Sequence, residues 1–144
     1  MSVKNLLFVF SDQHAKHITG CYGDKIVSTP HMDRLAREGV AFDAAYCSSP
    51  ICVPSRMSML TGRHPFRQSC WTNDDVLPSG TPTWLHAMGA AGYRPALMGR
   101  LHAIGPEQLH GYAERESGEL SPNVPGVPRQ ALGVLTGAND PEPR

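Results

Sequence analysis

Residues Asn5 to Ser11 read Asn-Leu-Leu-Phe-Val-Phe-Ser, an unbroken apolar run. Nothing polar alternates within it, so it predicts a strand buried on both faces, as in a parallel sheet. Asp12, Gln13 and His14 follow at once. From Thr29 the spacing turns helical: Thr29 suits the N-cap, Pro30 the first helical position, and Gly39 lies just past the end. Met32, Leu35 and Ala36 form its apolar face, and its charges form a solvated one. Val40 to Tyr46 predicts a second short extended segment. A second helix is predicted over residues 52–61. Pro54 fits its first turn, where the N–H that proline lacks has no partner anyway. Met57, Leu60 and Thr61 fall at helical spacing, and Gly62 is a stop signal.

Between His64 and Pro82 the pattern loosens, and the cluster Asn73-Asp74-Asp75 reads as a solvated loop rather than a cation site. Thr83 to Ala91 predicts a third helix, with Trp84, Leu85 and Met88 on one face and Gly92 ending it. Tyr93 to Met98 predicts the strand that follows. This succession of strands and helices is the signature of an α/β fold. Residues 113–144 show no periodicity. Pro122, Pro125, Gly126, Pro128, Gly133, Gly137, Pro141 and Pro143 mark a loop-rich or disordered tail, so the chain divides into residues 1–112 and 113–144.

Composition narrows the function classes. The 144 residues carry a formal net charge of zero, which argues against a nucleic-acid or anionic-membrane partner. The four cysteines, Cys21, Cys47, Cys52 and Cys70, form no C-x-x-C pair, so a zinc site is not expected. The run Leu6 to Phe10 is too short for a signal-peptide core or a membrane span. The expectation is a cytoplasmic protein with free thiols.

Three places hold candidate chemistry. Cys52 falls at the start of the second predicted helix and Arg56 about one turn further on. Helix N-terminal N–H groups and a guanidinium together suit an anion with several oxygens. Taken alone, a cysteine near a helix start is more often a small buried apolar residue. Asp12, directly after a strand, is well placed for a metal, and equally able to cap the next turn. His14 and His17 read as surface residues. Arg100 and His102, two apart in an extended segment, point the same way.

The string Cys52-Val-Pro-Ser-Arg-Met-Ser-Met-Leu-Thr-Gly-Arg resembles the signature of the type I sulfatases, Cys-x-Pro-Ser-Arg followed by Leu-Thr-Gly-Arg. The likeness extends back through residues 29–56. Gly99-Arg100-Leu101-His102 is similar to the family's Gly-Lys-x-His segment, with arginine in place of lysine. Residues 105–112 look most like the choline-sulfatase branch. The resemblance implies an alkaline-phosphatase-like mixed or parallel sheet with flanking helices, of which this chain is an N-terminal, incomplete part. It implies a sulfuric ester hydrolase acting on a small-molecule sulfate ester. Cys52 would be oxidised to formylglycine by a formylglycine-generating enzyme and, hydrated, would attack sulfur. Arg56 and His102 would be catalytic, and Arg100 would bind the sulfate. Calcium would be held by Asp12, Gln13 and residue 52, with Gln13 standing where the family usually has a second acid. Two alternatives stay open: a non-catalytic truncated homologue, and a phosphonate or phosphodiester hydrolase of the same superfamily.

Overall fold

Helix α2 (Cys52–Thr61) forms where the breaker-free segment allows it. Gly62 closes it in the left-handed conformation at φ +68°, its N–H donating to the Ser58 carbonyl at 2.8 Å. Val53, Met57 and Leu60 leave this helix on one buried side. They meet Cys70 and Leu77 from the following loop, Leu85 from α3 (Trp84–Ala90), and Leu101, Ala103 and Ile104 from the loop beyond. Each valine, leucine, isoleucine or methionine among them contributes about 1.5–3 kcal/mol by leaving water. Burial and the nearby Asp75 push the Cys70 thiol up to about 11.

Helix α3 is capped at both ends. Thr83 and His86 form a reciprocal capping box. At the other end Gly92, at φ +89°, donates to the Gly89 carbonyl and Tyr93 to the Met88 carbonyl, a Schellman motif. The chain then enters β1 (Ala96–Met98), which pairs in parallel with β2 (Glu114–Ser117) in a two-stranded sheet. Ala96 lies opposite Glu114, and an irregularity between Leu97 and Met98 brings Met98 opposite Ser117. Strand β2 begins the segment that its composition marks as tail. Glu-Arg-Glu-Ser has no apolar alternation, so only its partner reveals it. The Ala113 N–H on the Pro95 carbonyl and the Arg94–Glu114 ion pair, both short, lock its entry.

The computed structural model describes residues 4–117. Most of the tail predicted over 113–144 therefore lies outside the described residues. The chain divides into two units, Met1–Ala45 and Tyr46–Arg144. In the first, α1 (Pro30–Glu38) starts at Thr29 as its sequence predicts. The Asp33 carboxylate accepts from the Thr29 hydroxyl and the Cys21 N–H, tying α1 to the short 3-10 turn Gly20–Tyr22. A Cβ on Gly20 would lie 2.6 Å from Asp33 Oδ2, so that approach requires glycine.

Two expectations for this unit are not met. Residues 5–10 form no ladder, and Leu7 and Val9 are 86% and 81% exposed. Val40 to Tyr46 forms no strand either. A strand buried on both faces exists only between partner strands and covering helices. The one sheet among the described residues is the β1–β2 pair. The apolar face of α1 is open for the same reason, with Leu35 67% exposed.

Candidate active site

The second unit gathers four of the residues singled out in the sequence. Cys52 is the first residue of α2 and is partly buried. Arg56, one turn on, is only 4% exposed. Its Nη1 donates to the Arg100 carbonyl at 2.9 Å, joining segments 44 residues apart. Arg100 Nη2 lies 3.1 Å from His102 Nδ1. A guanidinium has donors and no acceptor, so this contact is a hydrogen bond only when Nδ1 is unprotonated. The bond therefore selects the His102 tautomer with its proton on Nε2.

His102 is 5% exposed and left-handed, at φ +57°. The segment is thus not extended, as the two-residue spacing predicts; Arg100 and His102 meet across a turn instead. For a residue with a Cβ this conformation is uncommon and costs about 1–3 kcal/mol. Arg100 remains exposed. The site so formed is cationic, adjoins a helix N-terminus and holds one oriented imidazole. Chemically, such an arrangement suits an oxyanion on the guanidinium and offers a hydrogen bond from the His102 Nε2–H.

One residue here escapes a reading of the sequence. Ile51 occupies the N-cap of α2 and has no side-chain acceptor to give. The Val53 N–H is taken instead by Asn73 Oδ1 at 2.9 Å. Asp75 shapes that loop by accepting the Trp71 and Thr72 N–H groups, each at 2.7 Å. Those bonds, the Thr72 one foremost, hold its carboxyl below the ordinary range. So Asn73-Asp74-Asp75 is more than a solvated loop: two of its members set the start of α2. A helix start without Ser, Thr, Asp or Asn is the only sequence signal that a distant cap exists.

Asp12 and Gln13 lie in an exposed turn of the first unit. Gln13 is left-handed there, at φ +53°. Among the described residues, no group of three or more His, Cys, Asp and Glu side chains is gathered as a metal would require.

A cysteine-bearing helix start is thus tied to an arginine–histidine loop within a short α/β segment. The sulfatase family model matches residues 4–118, and the chain belongs to the sulfatase family. It is 34% identical over 118 residues to the choline-sulfatase of Rhizobium meliloti, spanning 82% of this chain and 23% of that protein. It is 33% identical over 104 residues to the N-acetylglucosamine-6-O-sulfatase of Bacteroides thetaiotaomicron, spanning 72% of this chain and 19% of that one. A solved structure in complex with its substrate, D-glucosamine-2-N,6-O-disulfate, superposes with a TM-score of 0.67 at 32% identity, covering 72% of this chain and 21% of that one. The chain thus spans about a fifth to a quarter of these relatives.

Proposed function

We propose that this chain carries the nucleophile and part of the sulfate site of a sulfuric ester hydrolase acting on a small sulfate ester. The observation that supports it most is the Arg56–Arg100–His102 linkage, which joins the signature helix to the second cluster. A formylglycine-generating enzyme would act on Cys52, and the resulting residue supplies a hydrated aldehyde able to attack sulfur. The chain's own groups do the rest. The Arg100 guanidinium holds sulfate oxygens; at the start of α2 the Val53 N–H is already taken by Asn73 and Pro54 has none, so the helix start contributes at most the Cys52 N–H. Arg56 is buried and holds the Arg100 backbone in place. His102, with Nε2–H selected by Arg100, donates a hydrogen bond to the departing alcohol oxygen as negative charge develops there.

Calcium needs about six to eight oxygen ligands. Asp12 and Gln13 offer side-chain oxygens, but no set of three ligating side chains is gathered among the described residues. The described residues therefore do not fit calcium by themselves, and no step is assigned to it.

Hydrolysis of an aryl sulfate and of an aryl phosphonate by the protein carrying this sequence tests the proposal, with the Cys52 peptide mapped by mass spectrometry. We expect sulfate hydrolysis lost in Cys52→Ala and lowered about 10²–10³-fold in His102→Ala, the span typical of losing one oriented hydrogen-bond donor. Hydrolysis that survives Cys52→Ala overturns the proposal. Preference for the phosphonate replaces it with the phosphonate-hydrolase reading.

A further inference from the structure

We propose that Gln108 is a positioning residue for His102. Its side-chain Nε2 donates to two backbone carbonyls, Ala103 at 3.1 Å and Gly105 at 2.7 Å. Only a donor can face two carbonyl oxygens, so the amide orientation is fixed by its partners. On the other side, the Arg100 carbonyl, two residues before His102, is held by Arg56. His102 therefore sits between two clamped stretches of backbone.

That arrangement answers a physical need. A residue with a Cβ keeps a left-handed conformation only where its surroundings over-determine it. Leu101, Ala103 and Ile104 bury the segment, but their side chains offer the backbone no hydrogen bond. Gly105 is itself left-handed at φ +96°, and a Cβ there would lie 2.8 Å from Val76 Cγ1, so the backbone turns hard against the core. Gln108 spans that turn.

Gln108 is in turn held. The neighbouring Glu107 Oε1 accepts the Leu109 and His110 N–H groups at 2.8 and 3.0 Å, which keeps its carboxyl ionised below the usual range. The Thr83 hydroxyl donates to the His110 carbonyl at 2.7 Å. The strap formed by residues 105–112 is thus anchored on the start of α3, and its one inward amide grips the loop that carries His102.

The importance of His102 rests on the function proposed above, but the test reads the imidazole and not the reaction. Histidine side-chain ¹⁵N spectra are compared for the wild-type chain, Gln108→Met and Gln108→Lys, with His102→Gln identifying the signal. Methionine keeps the length and removes the donors; lysine keeps donors. The expected result is a displaced or multiplied His102 Nδ1 signal in Gln108→Met, returned to a single wild-type-like signal in Gln108→Lys. His86 serves as the internal control and keeps its signal throughout. If Gln108→Met does not fold, a wild-type-like His102 signal in folded Gln108→Lys supports the clamp, and a displaced one overturns it. An unchanged His102 signal in folded Gln108→Met also overturns it. A protein inactive toward sulfate esters that nonetheless shows the Gln108 effect refutes the function and leaves the clamp standing.

Discussion

His110 is 2% exposed, left-handed at φ +44°, and neither ring nitrogen has a hydrogen-bond partner among the described residues. Burial lowers its proton affinity from the ordinary value of 6.5; Glu107 opposes this and His86 adds to it. The sign of the pH effect follows. Above about 6.5 the ring is neutral in both folded and unfolded chains. Below it the unfolded chain takes up a proton that the folded chain refuses, so folding free energy is lost as pH falls. Urea unfolding at pH 7.5 and 5.5 should show this loss, and His110→Asn, which tolerates the left-handed backbone, should reduce it. An equal loss in both proteins would assign the effect to other groups. At this scale Cys52, Arg56, Arg100 and His102 are legible in the sequence because their chemistry travels with a motif. Asn73, Gln108 and His110 are not, because the work they do is created by a loop folding back on the chain.

The helices were the legible elements. Thr29, Pro30 and Thr83 mark starts, and Gly62 and Gly92 mark ends, through local chemistry that needs no distant partner. Strands need one, which is why β2 is invisible in Glu-Arg-Glu-Ser and why residues 5–10 read as a strand they do not form. Helix α2 lies between these cases: its body is local, but its cap comes from Asn73, twenty residues on. Asn73→Ala should cost about 0.5–2 kcal/mol, as lost caps do, and Asn73→Asp should retain most of it. The urea midpoints of the two variants provide the measurement. Equal losses would show that the acceptor is not what holds the helix start.

Across the whole molecule, apolar burial is uneven. Among the described residues the core of the second unit has nine buried apolar residues, while in the first Leu6, Leu7, Phe8, Val9 and Phe10 are all exposed. An exposed β-prone run without charge or proline invites pairing between chains. Val9→Lys should therefore raise the fraction of the chain left in solution after centrifugation at high concentration; an unchanged fraction would locate the self-association elsewhere. The fold class was legible only as far as the helix–strand unit of α3 and β1, since a sheet is a set of long-range pairings; β2 completes it as a helix–strand–parallel-strand unit. That unit has a consequence of its own. Because β1 and β2 run parallel, the chain between them must return along the sheet, and residues 99–113 of that return leg carry Arg100, His102 and Gln108. On the function proposed above, an anion that fills the site at a hundred times its dissociation constant adds by mass action about 2.7 kcal/mol to the state in which this leg is in place. A sulfated compound bound there would then help decide how much of the chain is folded, and act as a folding ligand.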